Sequence, residues 1–383
     1  MTFEIVQIVQ ELSSVGGVES VALELTGVFG RAGVPNSVIA STIGKAPDRR
    51  TMIERVAPWL ARIPTRGALR HVGRFVVVPL FTLAATAAAR RHPGAVVISH
   101  GDSLRGDVLV VHAVNAENIA EKRRAGQWRW MLNPTHLWVA LRDRVMIGGL
   151  RYKMFVAVSS RVADELQRYY GVPASRIRII PNGIDLHRFR PDPAAGARIR
   201  AELGVPATAK LVLFIGNEFD RKGLAHAIGA VDLLDDDTWL VVVGSESPAP
   251  WRRRARRCGN RLVFAGSRHD VEAFYAAADA FVFPTSYETF SLVCMEAMAC
   301  EVPVLATPVG GIEDYLRDDV NGYRISPDPA EIAAKLRRVL DDPELHARLR
   351  RGARATAERY GWDLVGAAYI ALAAELSGAA TAQ

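Results

Sequence analysis

Two glutamates eight residues apart, Glu288 and Glu296, stand in the segment YETFSLVCMEAMAC (287–300). Leu292, Val293, Met295, Ala297, Met298 and Ala299 surround Glu296, and a carboxylate buried among such neighbours is costly unless a partner or ligand holds it. Glu288 follows the apolar run AFVFPTS, so it falls at a strand end, with Thr289, Phe290 and Ser291 opening the next helix. Glu296 then lies about two turns into that helix. One carboxylate at a helix mouth and a second on the same helix suit a ligand rich in hydroxyls, and the helix N-terminus between them suits a phosphate.

Other groups point the same way with alternatives attached. Arg221 and Lys222, in GNEFDRKGLAHAI (216–228), read as the start of a helix, where cations oppose the helix dipole. They make sense there against an anion such as a diphosphate, or else form an ordinary surface pair. Gly16 and Gly17, in SSVGGVES, read as a tight turn or as an anion site at a strand-to-helix junction. Gly-x-Gly-x-x-Gly is absent and no acidic residue ends the second strand at Ser41-Thr42, which disfavours a nicotinamide oxidoreductase. His112, in VVHAVN, ends a strand, with His100 in ISHG as its rival; Arg268, after VFAGS, reads as a contact to a base or phosphate or as a surface residue. Cys258, Cys294 and Cys300 have no paired spacing, so neither a disulfide framework nor a zinc site is expected, and a reducing compartment is. The run Asp235–Asp237 reads as a solvated loop, and no Asp-x-Asp ends a strand of the first half, so no tightly bound catalytic metal is implied.

The elements that position these residues alternate. Strand-like runs such as FEIVQIV (3–9), GAVVIS (94–99), DVLVVHA (107–113), KLVLFIG (210–216), TWLVVVG (238–244) and VPVLAT (302–307) are separated by helical patterns, the signature of α/β folds with doubly wound parallel sheets. A chain of 383 residues, 49% hydrophobic and 23% charged, is large enough for two such domains. The turn Asn182-Gly183 and the prolines around it place a boundary near Leu186. The division is 1–186, 187–362 and a C-terminal segment 363–383, whose helix is apolar on more than one side and expects burial, the first domain being the natural neighbour. Doubly wound sheets bind ligands beyond the carboxyl ends of their strands, so a cleft between two of them is the natural site.

The formal charge of +7 is uneven: the stretch from Arg55 to Gly101 inclusive holds seven arginines and no acidic residue, with Arg62, Arg66, Arg70 and Arg74 four apart. The segment 120–145 adds Trp128, Trp130 and Trp138 among arginines. Such surface is either solvated or suited to an anionic membrane face, and no nucleic-acid-binding motif accompanies it. The N-terminus reads as a strand, not a signal peptide, and the run Phe75–Ala89 is shorter than the ~20 residues of a membrane span. A cytoplasmic protein, with peripheral contact at the inner membrane face, is the expectation.

Glu288, seven residues, Glu296, then AMACEVPVLAT (297–307), resembles the signature of the retaining family 4 glycosyltransferases of GT-B architecture. GGVES, IIPNGID and RKG fall in the order that family uses, and together they span nearly the whole chain. The resemblance implies two Rossmann-like domains facing across a cleft, the first binding the acceptor and the second a nucleotide-sugar donor. It implies that Gly16 and Gly17 approach the donor diphosphate, that Arg221 and Lys222 neutralise it, that Glu288 contacts the transferred sugar, and that Glu296 contacts the ribose. His112 falls where members place a histidine near that sugar. Asn217 stands where many members carry an arginine, and Arg221 would take over its charge, as in the lipopolysaccharide-core members. Cationic side chains do the work of a metal in the family, so no cofactor is expected beyond the nucleoside diphosphate sugar itself. The implied acceptor is a glycan, lipid-linked or small-molecule hydroxyl of the bacterial cell envelope. A GT-B nucleotide-sugar epimerase or hydrolase and a non-catalytic carbohydrate-binding descendant are the rival readings.

Overall fold

Runs such as Ile5–Ile8 and Lys210–Ile215 are buried on both faces almost throughout, which suits strands of parallel sheets covered by helices on both sides. In the computed structural model, which describes residues 3–13, 16–44, 51–63, 70–124, 126 and 134–378, these runs build two parallel sheets. The first holds seven strands in the order Met52–Arg55, Asn36–Ala40, Ile5–Ile8, Val96–Ser99, Gly106–Val111, Tyr152–Ala157 and Ile177–Ile179. The second holds six, in the order Leu262–Gly266, Thr238–Val243, Lys210–Ile215, Ala280–Phe283, Val304–Ala306 and Gly322–Arg324. Each sheet belongs to its own compact unit, Met1–Gly183 with Trp362–Gln383 and Ile184–Gly361.

The last helix, Trp362–Leu376, returns to the first unit. It lies on the helix Gly17–Arg31, burying Val365, Tyr369, Leu372 and Ala373, with Arg31 and Asp363 3.1 Å apart at the rim. That contact accounts for a helix apolar on several sides.

The helix Arg70–Ala88 contains Pro79, and its inner side, Val77, Phe81, Ala85 and Ala88, packs on Val6, Ile8, Ile39 and Val97. Its outer side leaves Phe75, Val76, Leu80 and Leu83 exposed. The helical span Gly73–Arg91, at 19 residues, is long and apolar enough to cross a membrane by length and composition alone, so length does not exclude it as the shorter run Phe75–Ala89 suggested. Its inner side packs in the core of this unit, while 39% of its apolar window is buried. Arg62 ends the short helix Pro58–Arg62 and Arg74 lies within Arg70–Ala88. Arg66, Trp128 and Trp130 lie outside the described residues.

Candidate functional site

A doubly wound sheet opens a crevice where its strand order reverses, beyond the carboxyl ends of the two strands flanking the reversal. In the second sheet those strands are Lys210–Ile215 and Ala280–Phe283. The loops that leave them carry Arg221 and Lys222 on one side and Glu288 on the other. Lys222 Nζ donates to Glu288 Oε1, and the two side chains are only 13% and 12% exposed. Nζ also stands 4.9 Å from the centroid of the Phe283 ring, a cation–π contact. Thr285 Oγ1 lies 3.4 Å from the same carboxylate oxygen. Arg221 is tied differently: Nε and Nη2 bind Glu218 at 2.9 and 2.6 Å, and Nη1 donates to the Tyr287 carbonyl at 2.7 Å. Its guanidinium remains 3.7 Å from Glu288.

Both helices of this site start later than their sequence patterns suggest. Lys222 N closes on Glu218 O at 3.0 Å, so Arg221 and Lys222 lie in a separate turn and the helix begins at Leu224. Thr289, Phe290 and Ser291 likewise form the loop before Leu292–Ala299, with Ser291 capping it in a left-handed conformation, φ 67°. Left-handed non-glycine residues carry local strain and recur at ligand sites. Gly310, at φ 62°, lies so close to the Glu288 carbonyl that a Cβ would overlap it. Glycine there lets the backbone of residues 288–289 lie flat on the next loop.

Glu296 is half-buried, and burial raises its carboxyl above the usual range. Tyr275 Oη donates to Glu296 Oε2 at 2.8 Å. The carboxylate that wants a partner therefore has one inside its own unit, and a ligand is not needed to explain its survival there. Asn217 Oδ1 accepts from Ser245 N at 3.0 Å and Ser245 Oγ at 2.8 Å, which ties its loop to the end of the neighbouring strand. Arg268 is held by Asp270 through Nε at 2.9 Å and by Glu202 through Nη1 at 2.6 Å. The run Asp235–Asp237 is partly paired, Asp236 with Arg261 and Asp237 with Lys210.

In the first sheet the order reverses between Ile5–Ile8 and Val96–Ser99. Gly16, at φ 103° and ψ 155°, adopts a backbone that only glycine holds readily, and the Glu19 carboxyl folds back against it. Gly17 opens the helix. Across the reversal, Asp102 Oδ2 accepts from Gln10 N at 2.8 Å, and burial lifts its carboxyl to about 6, against the pull of Arg142. His100 and His112 meet here, Nδ1 to Nε2 at 3.2 Å, and His100 Nε2 lies 3.0 Å from Gln7 Oε1. Burial pushes the His112 imidazole down to about 4 and His100 well below its usual range. Both are neutral at neutral pH, so His112 can position or accept a proton in a hydrogen bond but does not act as a standing cation.

The structure thus groups Lys222, Arg221, Glu288 and the Thr289–Ser291 loop in one crevice of the second unit. Glu296 stands on the following helix, Asn217 joins the same loop cluster, and Arg268 is engaged with carboxylates of its own. Gly16, Gly17 and His112 belong to the matching end of the first unit. Sequence reasoning missed Tyr275, Asp102 and Gly310. Gly310-Gly311 after the strand Val304–Ala306 carried a signal, since it repeats the strand-then-glycine-pair pattern of Gly16-Gly17. Tyr275, one aromatic in VEAFYAAAD, carried none. Among the described residues no group of three or more His, Cys, Asp or Glu is placed to hold a metal ion.

Comparison with known proteins gives two family matches that divide the chain. Residues 15–188 match Glycosyltransferase Family 4, and residues 197–356 match Glycosyl transferases group 1. The D-inositol 3-phosphate glycosyltransferase of Xylanimonas cellulosilytica is 38% identical over 229 residues, covering 56% of this chain and 55% of that protein. The chain spans about half the length of the curated relatives it matches. Among solved structures, WaaG, a glycosyltransferase involved in lipopolysaccharide biosynthesis, aligns with a TM-score of 0.77 at 21% identity, over 96% of this chain and 99% of that one. HepE of Anabaena, solved in complex with UDP, aligns with a TM-score of 0.72 at 18% identity, over 97% and 99%. Those two likenesses establish the GT-B fold.

Proposed function

Because the chain belongs to the glycosyltransferases that join a Family 4 domain to a group 1 domain, we propose that it moves a sugar from a nucleoside diphosphate donor to an acceptor hydroxyl, with retention at the anomeric carbon. The observation that carries this reading is the Lys222–Glu288 pair at the strand-order reversal of the second sheet. As the bond between the sugar and its diphosphate breaks, negative charge grows on the departing oxygen, and a fixed ammonium held in a partly desolvated crevice stabilises it. Glu288 orients that ammonium and offers its second oxygen to a sugar hydroxyl. The loop Thr289–Ser291 leads amides toward the phosphates at the mouth of an eight-residue helix. Glu296, steadied by Tyr275, accepts from the ribose. In the first unit Gly16 and Gly17 are assigned to the diphosphate and His112 to the transferred sugar. With cations in these roles the reaction needs no metal or cofactor.

The test is thermal unfolding with saturating uridine, guanosine, adenosine and thymidine diphosphates. A ligand at about a hundred times its dissociation constant stabilises by roughly 2.7 kcal/mol, a shift of several degrees. One base shifting the midpoint identifies the donor class, and the anomer formed with the matching sugar panel then checks retention. No shift with any of the four overturns the donor reading.

The acceptor is a cell-envelope hydroxyl, and D-inositol 3-phosphate, named for the relatives, is the first small molecule to try. The site of action is the cytoplasm at the inner membrane face, supported by three buried free cysteines and by the exposed Phe75, Leu80 and Leu83 beside Arg74. The protein should sediment with phosphatidylglycerol vesicles at low salt and be released at high salt, where exposed charges are screened. Staying in the supernatant at low salt would remove the membrane contact.

A further inference from the structure

Gln7, at the middle of the strand Ile5–Ile8, is a fully buried amide, and its neighbours orient it. Thr26 Oγ1 donates to the Ala22 carbonyl at 2.8 Å. Gln7 Nε2 approaches Thr26 Oγ1 at 2.7 Å and that same carbonyl at 3.3 Å. A carbonyl only accepts, and the Thr26 proton is already committed, so the amide nitrogen must face this pair. Gln7 Oε1 is thereby turned to His100 Nε2 at 3.0 Å, and an amide oxygen only accepts. His100 Nε2 therefore carries the proton.

A neutral imidazole carries one proton, so His100 Nδ1 is bare and accepts from His112 Nε2 at 3.2 Å. The rings are 23° from coplanar with centroids 5.5 Å apart, the arrangement of an in-plane N–H···N bond. His112 is left with its proton on Nε2 and an unprotonated Nδ1. Burial keeps both rings neutral, and Nδ1 of His112 has no hydrogen-bond partner among the described residues.

We infer that Gln7 is a positioning residue which, through His100, sets His112 as a hydrogen-bond acceptor at Nδ1. The bare nitrogen favours a hydroxyl hydrogen of the transferred sugar and repels phosphate or carboxylate oxygens. This rests on the glycosyltransferase reading for its ligand, but not for the relay itself. The chain Thr26, Gln7, His100 and His112 runs from the helix Gly17–Arg31 through the strand Ile5–Ile8 to the crevice, so the acceptor character of His112 is determined inside the core rather than by solvent.

The test is nitrogen-edited NMR of the full chain with ring-labelled histidine, without ligand. The wild type should show both rings neutral with Nε2 protonated, and a scalar coupling across the bond from His112 Nε2–H to His100 Nδ1. A proton on His112 Nδ1 overturns the relay, and this measurement needs no variant to fold. Gln7→Leu removes the acceptor for His100, so the coupling should be lost and His112 should populate both tautomers. Gln7→Glu should restore the coupling at a pH where its carboxyl is protonated, one oxygen donating toward Thr26 Oγ1 and the Ala22 carbonyl and the other accepting from His100, and lose it where the carboxyl ionises. With a turned-over donor in hand, Gln7→Leu should lower kcat about tenfold, the loss of one hydrogen bond, and leave the affinity for the sugar-free nucleoside diphosphate unchanged; an unchanged kcat overturns the positioning role. If the tautomers are as stated and no nucleotide binds, the functional reading fails and the relay stands. If donor turns over while His112 is protonated on Nδ1, the relay fails and the function stands.

Discussion

Replacing Lys222 with alanine should cost both stability and chemistry. The ammonium is bonded to Glu288 with each side chain about seven-eighths covered, and removing one member of a buried pair strands the other at a cost of about 3–5 kcal/mol. Arg221, 3.7 Å from the same carboxylate oxygen, and Thr285 Oγ1 at 3.4 Å soften the loss, so the lower end of that range is expected. Activity should fall by roughly a hundred- to a thousandfold, the usual result of removing one group aimed at developing negative charge. Lys222→Arg is not a repair, because a planar fork cannot occupy the place of a compact ammonium over the Phe283 ring. Thermal unfolding with and without the nucleoside diphosphate that stabilises the wild type separates the two effects. The variant should melt lower by itself and lose the ligand shift. A variant that melts with the wild type and is still shifted by nucleotide would remove Lys222 from the site.

Much of this site was legible before any fold was known, for a physical reason. In parallel α/β sheets function gathers at strand ends, so Lys222, Glu288 and His112 could be located from strand-like runs alone. What remained hidden depended on contacts between distant positions. Arg268 reads from sequence as a contact to a base or phosphate or as a surface residue, yet Glu202, 66 residues earlier, engages it. Glu296 reads as a carboxylate without a partner, yet Tyr275 lies one helix away in space and 21 residues away in sequence. Helix starts were displaced by two or three residues because Gly223 and Ser291, the residues just before them, adopt left-handed backbones, the second at a position where no propensity suggests one. The Gln7–His100–His112 chain escaped notice since a glutamine in a strand carries no pattern until its neighbours across the sheet are known.

Gly310→Ala should damage the site without touching a charged group. Gly310 holds φ 62°, a conformation that costs an L-residue roughly 1–2 kcal/mol, and its added Cβ would meet the carbonyl of Glu288, backbone against backbone. Overpacking of that kind adds about 1–3 kcal/mol, so the second unit should lose about 2–5 kcal/mol and melt several degrees lower. The clash relaxes by moving residues 288–289 away from the loop after Val304–Ala306, and the Glu288 carboxylate goes with them. A displacement of about 1 Å at a positioned group can cost a hundredfold in rate, so turnover should fall by about that much even at temperatures where the variant is fully folded. Gly259→Ala serves as the control: a Cβ there meets nothing within 4 Å, and its stability should stay within about 0.5 kcal/mol of the wild type. If Gly310→Ala behaves like Gly259→Ala in both melting and turnover, the backbone contact is not what holds Glu288 against Lys222. If it melts lower yet turns over normally when folded, the glycine serves only the fold. The combined loss is the result expected when one backbone approach positions both the carboxylate and, through it, the ammonium.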